Sequence, residues 1–167
     1  MRGEDHIRQI LQWGLKTIAI FFRFPGEYID GCPGELTIDQ AFPECVKVYD
    51  FTTGISWKLH MFSFGAHADA EPLKAEDTAN MRKAFGNQTT WNPKAVWVVF
   101  SDGRVYMAST HDTPHGVDHT ASNDFAGHLC VHFPRTAEQV AAIGSYATSH
   151  QKAIDLGWAA TLARISQ

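Results

Sequence analysis

The sequence predicts a mainly β domain of the α+β class, in which a sandwich-like or barrel-like sheet is joined by one short helix and one long C-terminal helix. Short runs of β-branched and aromatic residues, bounded by turn residues, recur through the first two thirds of the 167 residues. Residues 75–85 have an apolar stripe at helical spacing, and a second helical pattern follows residue 136. With 44% hydrophobic and 19% charged residues, the chain is typical of a folded globular protein.

We expect one domain over residues 1–167, because this length buries a sizeable core by itself. Its expected parts are an N-terminal strand with an irregular extension (1–45), a core that carries the functional motif (46–135) and a C-terminal helix (136–165). Residues 5–13 show a weak helical pattern. Residues 15–24 are rich in β-branched and aromatic residues and predict a strand, which Pro25-Gly26 ends.

Two hairpins are predicted in the core. Residues 46–64 alternate apolar and polar positions on both sides of a Thr52-Thr53-Gly54 turn, and residues 95–109 turn back through Asp102-Gly103. Residues 64–72, which follow the first hairpin, predict a loop. This loop presents three potential metal ligands or bases, namely His67, Asp69 and Glu71.

Both helices have recognisable boundaries in the sequence. Gly86 is placed to stop the short helix at 75–85. Thr136 with Gln139 three residues later resembles a capping box and predicts the start of the long helix. We expect that helix to continue to about residue 163 and to be weakened by Gly144 and Gly157, the second of which could divide it.

The composition gives no reason to expect a nucleic-acid partner or a membrane segment. The net charge is −4 and the sequence pI is ≈ 6.1, which is not the basic balance of a nucleic-acid binder. No run reaches 18 apolar residues, so no transmembrane helix is predicted. The acidic N-terminus argues against a signal peptide in the sequence as given, and a trimmed mature chain would look the same.

The three cysteines leave two arrangements open. Cys32 and Cys45 flank an irregular segment and could pair in an oxidising compartment, which would leave Cys130 as a free thiol. Two reduced structural thiols at these positions fit the sequence equally well.

Histidines concentrate around Cys130, between residues 109 and 133. Five of the nine histidines fall there: His111, His115, His119, His128 and His132. Residues 129–133 predict a short strand, on which alternate residues 128, 130 and 132 would share one face. A neighbouring imidazole can take the proton of a thiol and so make it a nucleophile. The segment therefore predicts a catalytic or metal-binding site, with a buried structural cysteine as the plain alternative.

Pro114-His115-Gly116, followed by Gly127-His128-Leu129-Cys130-Val131-His132-Phe133, resembles the active-site segment of the YkuD-type L,D-transpeptidases. Those bacterial enzymes have a His-Gly pair, a gap and then Ser/Thr-His-Gly-Cys-Ile/Val-Arg. The resemblance implies an L,D-transpeptidase-type domain in which Cys130 is the acylated nucleophile, His115 its general base and His128 the motif histidine. It further implies an oxyanion hole of backbone N–H groups near Gly116, Leu129 and Cys130. Leu129 and His132 stand where the family has glycine and arginine.

The resemblance implies a cysteine acyltransferase, or a hydrolytic variant, that acts on peptidoglycan stem peptides without a cofactor. It also implies action in the cell envelope or outside the cell, with a cytoplasmic or phage-encoded protein left open. His67, Asp69 and His132 are expected to contact substrate. His67 and Asp69 are alternatively part of a hydrogen-bonded loop, or orient a catalytic histidine. Trp91 is the tryptophan expected in a substrate wall, whereas His150 is predicted to lie outside the site.

Two other functions remain open from the sequence. His67 and Asp69, with His128, His132 or His115, could form a zinc site, which would make the protein a zinc-dependent peptidoglycan peptidase. A third possibility is a wall-binding module without catalytic activity, which the departures at Leu129 and His132 favour.

Overall fold

A computed structural model describes residues 45–101 and 104–165. They form six strands and three helices: β1 (Cys45–Asp50), β2 (Ile55–Phe64), β3 (Ala68–Pro72), α1 (Ala75–Ala84), β4 (Lys94–Phe100), β5 (Val105–Thr110), β6 (Leu129–His132), α2 (Ala137–Ile143) and α3 (Ser145–Ile165). This arrangement confirms the predicted mainly β, α+β class with a C-terminal helix. The helix and strand predicted at 5–13 and 15–24 lie outside the described residues.

The six strands form a closed antiparallel barrel in the order β1-β2-β3-β6-β5-β4. Both predicted hairpins are present, since β1 pairs with β2 and β4 pairs with β5. β6 closes the sheet by pairing with β3 on one side and with β5 on the other. The barrel interior is filled with apolar side chains, including Val46, Val48, Trp57, Leu59, Met61, Val96, Val98, Phe100, Leu129 and Val131.

The loop predicted at 64–72 is wrong, because residues 68–72 form strand β3. Ala-Asp-Ala-Glu-Pro has little intrinsic preference for a strand. Both edges of β3 are nevertheless paired, to β2 and to β6. Ala68 and Ala70 point into the core, where small side chains fit beneath larger neighbours. Tertiary pairing therefore overrides the local preference and holds Asp69 at a defined position.

The long C-terminal helical segment is divided at Gly144, and the predicted division at Gly157 is wrong. The predicted capping box is present, since Thr136 and Gln139 bond each other's backbone and side chain. Gly144 ends α2 with φ +103, a conformation that favours glycine. Gly157 lies within α3. A Cβ at this position would lie 2.5 Å from the Cβ of Ala95, so the close approach requires glycine. Its role is close packing of the helix on the barrel.

Helix α3 covers the outer face of the barrel along β4 and β5. A second apolar cluster forms there from Phe51, Trp97, Val105, Met107 and Ile154, and Trp158 packs against it. Tyr146 and His150, in the first two turns of α3, lie over the outer face of β5 and β6. Among the described residues, no helix combines the length and apolar character needed to cross a membrane.

Candidate functional site

Strand β6 presents Cys130 on the outer face of the barrel. Leu129 and Val131 belong to the interior core, and because side chains alternate along a strand, Cys130 and His132 point the other way. Cys130 is a free thiol, whereas Cys45 is held in a disulfide and its expected partner Cys32 lies outside the described residues. The side chain of Leu129 faces away from the thiol. The oxyanion role that the motif implies for Leu129 therefore concerns its backbone N–H alone.

Cys130 and His115 form a thiol–imidazole pair. The Sγ atom lies 3.4 Å from Nε2 of His115, and Nδ1 of the same ring lies 3.1 Å from the carbonyl oxygen of Thr113. A carbonyl oxygen only accepts hydrogen bonds, so Nδ1 must carry the proton that it donates. The neutral ring then has its lone pair at Nε2, directed at the thiol.

A two-residue bridge between His115 and His128 holds this geometry. The backbone N–H of each residue donates to the carbonyl of the other, at 3.0 and 2.8 Å. His128 therefore lies just before β6, and its ring lies 4.4 Å from that of His115, on the side of the thiol. Two glycines permit the bridge. A Cβ at Gly127 would lie 2.6 Å from the carbonyl oxygen of His115, and one at Gly116 would lie 2.2 Å from the ring of His128.

Asp69 places a carboxylate beside the thiol, because it pairs directly with Cys130 across β3 and β6. Its Oδ1 lies 3.9 Å from Sγ and 3.0 Å from Nε2 of His67. The hydroxyl of Ser63 donates to Oδ2 at 2.6 Å and fixes the orientation of the carboxylate. His128 is more distant, with Nε2 3.9 Å from Oδ1. The structure thus brings His67 and Asp69, predicted in a loop, against Cys130.

His132 lies beneath α3 and is only 2% exposed. Its ring stacks on His150 with centroids 3.8 Å apart, and Tyr146 packs against both rings. His150 is also buried, and its Nδ1 lies 2.8 Å from the hydroxyl of Ser109. The expected contact of His132 with substrate needs exposure that this side chain lacks. His150, which the sequence placed outside the site, is one of its supports.

The buried histidines are neutral at physiological pH. Burial, followed by neighbouring imidazoles, lowers the pKa of His111 to about 3 and that of His132 to about 3. Burial likewise lowers the pKa of His150 to about 4. An imidazole that stays neutral adds hydrogen-bonding groups to the site without adding positive charge.

The environment of Cys130 favours the protonated thiol. Burial is the main cause that raises its pKa to about 11, and the Asp69 carboxylate raises it further. The Tyr146 hydroxyl partly offsets these effects, although it faces the thiol without a hydrogen bond of standard geometry. At neutral pH the sulfur is therefore a thiol that needs a base at the moment of reaction.

Glu71 and Trp91 both contact the histidine-rich segment between residues 109 and 133. Glu71 is fully buried, and its Oε1 accepts from the backbone N–H of His119 at 2.8 Å and lies 2.9 Å from Nδ1 of that ring. This contact ties the 111–128 segment to the barrel. Trp91 is 52% exposed, and its ring lies 5.0 Å from that of His115. Trp91 therefore forms a wall next to the thiol–imidazole pair, which is the location expected for it.

The described residues contain two groups of side chains whose ligand atoms are close enough to hold a metal ion. One group is His67, Asp69 and Cys130, and the other is His111, His115 and Cys130. Cys130 belongs to both groups. His128, which the sequence placed in the zinc alternative, belongs to neither.

No protein-family model, curated protein or solved structure matches this chain. The site is therefore interpreted from its own geometry. The relation of residues 114–133 to the YkuD-type L,D-transpeptidases stays a prediction from the motif.

Sequence reasoning missed four contributors to the site, namely Tyr146, His150, Thr113 and Ser63, whose hydroxyl orients Asp69. Tyr146 and His150 lie four residues apart on one helix face, a spacing that could have marked them as a pair. Thr113 acts through its carbonyl oxygen, for which the residue type gives no signal.

Proposed function

We propose that this protein is a bacterial cysteine acyltransferase of the L,D-transpeptidase type, or its hydrolytic variant, acting on peptidoglycan stem peptides. The observation that supports the chemistry best is the chain of contacts from the Thr113 carbonyl through His115 to the thiol of Cys130. It fixes the imidazole tautomer that can accept the thiol proton. The substrate class comes from the motif resemblance at residues 114–133.

In the proposed mechanism, Cys130 attacks a peptide carbonyl while His115 takes the thiol proton through Nε2. The imidazolium that forms keeps its Nδ1 proton and donates it in a hydrogen bond to the Thr113 carbonyl, which stabilises the charged ring during the step. His115 then protonates the leaving amine as the carbon–nitrogen bond breaks, and a thioester remains on Cys130. An amine or water next attacks the thioester and gives its proton to His115, which returns it to the sulfur as the carbon–sulfur bond breaks.

The developing negative charge on the carbonyl oxygen needs hydrogen-bond donors. By the resemblance, these are backbone N–H groups at Gly116, Leu129 and Cys130. Gly116 has φ +66 and lies under the His128 ring, so a side chain at this position would displace that ring. Glycine at this position therefore allows the His128 ring to pack directly against the backbone of the motif.

The charges around Cys130 bear on substrate choice. Residues 59–73 and 105–133 contain neither lysine nor arginine, and they include Asp69 beside the thiol. Arg135 is a cation that contacts this region, since its guanidinium donates to the carbonyl of Gly65 at 2.6 Å. At the position of the family's arginine, His132 is neutral and buried. We therefore expect recognition of the stem peptide through its backbone and its amine groups, with Trp91 as an apolar wall.

Digestion of sacculi by the wild type and by Cys130→Ala tests this function, with the released muropeptides identified by mass spectrometry. We expect new cross-linked or trimmed stem peptides from the wild type and none from Cys130→Ala. His60→Gln is the matched control, because His60 lies on β2 outside both metal-ligand groups. Products that persist in Cys130→Ala would contradict the proposal, and so would binding to sacculi without any product.

A further inference from the structure

The ligand atoms of His67, Asp69 and Cys130 all lie within 4.8 Å of one another, close to the spacing of a zinc shell. A zinc ion with Zn–N or Zn–O bonds of about 2.0–2.1 Å and Zn–S bonds of about 2.3 Å separates its ligand atoms by about 3.3–3.6 Å. Here Asp69 Oδ1 lies 3.0 Å from His67 Nε2 and 3.9 Å from Cys130 Sγ. The remaining separation, from His67 Nε2 to Sγ, is within 4.8 Å. Zinc binding would shorten the 3.9 Å separation of Asp69 Oδ1 and Sγ, and lengthen the 3.0 Å separation of Asp69 Oδ1 and His67 Nε2, by about 0.3–0.4 Å each.

The chemistry of the three ligand atoms indicates which metal ion the site binds. A thiolate, an imidazole and a carboxylate together suit Zn²⁺, whereas Ca²⁺ and Mg²⁺ prefer oxygen ligands alone. The support around the ligands is also in place, since Ser63 fixes the second oxygen of Asp69. His67 and Asp69 are 33% and 23% exposed in their side chains, so an ion from solvent can reach them.

The alternative group is less suited to an incoming ion. His111 is fully buried, and its Nδ1 already accepts from the backbone N–H of Thr113. With that acceptor at Nδ1, the proton of the neutral ring is at Nε2, where a metal would need the lone pair. The His67 side of the thiol is therefore the binding side.

We propose that Zn²⁺ binds His67, Asp69 and Cys130, with solvent at the fourth position, and thereby reversibly blocks the nucleophile. The zinc–sulfur bond forms as the thiol proton is released to solvent, and no electron transfer is involved. The lone pair that would attack a carbonyl is then held by the metal. The inhibitory part rests on the proposed acyl transfer, whereas the binding part does not.

Zinc chloride added to chelator-stripped protein tests the binding part, with bound zinc measured by equilibrium dialysis and elemental analysis. We expect one zinc per chain in the wild type and at least tenfold weaker binding in Asp69→Asn and Cys130→Ala. His60→Gln should bind as the wild type does. Circular dichroism of each variant shows whether it is folded. Zinc binding that is equal in the wild type, Asp69→Asn and Cys130→Ala would overturn the site.

Two further readouts test the block. Zinc should slow alkylation of Cys130 by iodoacetamide at least tenfold, and a chelator should restore the rate. Zinc should also abolish formation of sacculus products that metal-free protein makes. Activity that appears only with zinc would overturn the inhibitory role while leaving the binding site intact. Protein that binds zinc but forms no products with or without it would contradict the acyl-transfer proposal and not the metal site.

Discussion

At the residue scale, two opposing effects act on the proton of the Cys130 thiol. Burial and the Asp69 carboxylate keep it protonated, while His115 directs a proton acceptor at it from 3.4 Å. A site of this kind does not store a thiolate. In the proposed mechanism, the thiolate forms only when a positioned carbonyl makes the proton transfer productive.

Alkylation of Cys130 by iodoacetamide should therefore be slow at pH 7 in metal-free protein. With the pKa of the thiol raised to about 11, the thiolate fraction increases about tenfold for each pH unit up to roughly pH 10. Mass spectrometry of the labelled peptide over a pH series measures the rate. Asp69→Asn should label faster than the wild type at each pH, because the carboxylate raises the pKa. A rate that is already at its plateau at pH 7 would contradict this description of the thiol.

Among the individual residues, the sequence singled out Cys130 and His115, which the structure brings into contact, but not the residues that support them. Cys130 and His115 stood out because cysteine is rare in the chain and histidine is concentrated around it. The carbonyl of Thr113 and the hydroxyl of Tyr146 contribute through atoms whose position depends on the fold. His132 was expected to contact substrate, since a strand pattern alone does not show that a later helix covers it.

At the element scale, the bridge between His115 and His128 is the part of the site most sensitive to a single methyl group. Gly127 has φ +129, and a Cβ at this position would lie 2.6 Å from the carbonyl oxygen of His115. Gly54 offers a matched comparison, because it has φ +73 with nothing within 4 Å of a Cβ.

Gly127→Ala should lower the free energy of unfolding by about 2–3 kcal/mol, since it adds a clash to an unfavourable backbone conformation. Gly54→Ala should cost only about 1 kcal/mol, for its backbone conformation alone. Urea titration followed by circular dichroism measures both. Gly127→Ala should also lose acyl transfer at temperatures where it is folded, because the His115 ring shifts. Equal costs in the two variants, with activity retained, would show that the bridge does not position His115.

The elements that the sequence predicted correctly are those with strong local signals. The two hairpins, α1 and the capping box at Thr136 depend on alternation, turn residues and capping side chains within a few positions. β3 was missed because its pairing with β2 and β6 outweighs its composition. The division at Gly144 was missed because both candidate glycines look alike in the sequence, and only packing against Ala95 explains why Gly157 stays helical.

At the scale of the whole molecule, barrel closure assembles the site from distant parts of the chain. Strands β3 and β6 bring Asp69 and Cys130 together across 61 residues. Helix α3 then covers the outer face and buries His132 and His150. The class of fold was predictable from the pattern of strands, but this juxtaposition was not, since it depends on which strands pair.

The three buried histidines should make the stability of the protein dependent on pH. In the unfolded chain their pKa is near 6.5, whereas in the fold it is about 3 for His111 and His132 and about 4 for His150. Below pH 6.5 the unfolded chain binds more protons, so stability falls as the pH drops from about 6.5 toward 4 and levels off near 3. The slope contributed by each histidine is at most about 1.4 kcal/mol per pH unit.

Urea midpoints measured between pH 7 and pH 5 check this dependence. A folded His132→Gln variant should show a shallower slope, because one of the three groups no longer titrates. His60→Gln should keep the slope of the wild type. Stability that is constant between pH 7 and pH 5 would contradict the neutral, buried state of the three rings.

The proposed mechanism requires that Cys130 becomes acylated with His115 as its base, and the mass of the intact protein reports this acylation. Metal-free wild type, Cys130→Ala and His115→Gln are incubated with a muropeptide, quenched in acid and weighed by intact-protein mass spectrometry. We expect a thioester adduct on Cys130 in the wild type and no adduct in Cys130→Ala. In His115→Gln the adduct should form at least about 10²-fold more slowly. Product formation in the wild type without any adduct on Cys130, or an adduct that forms equally fast in His115→Gln, would contradict the proposed mechanism.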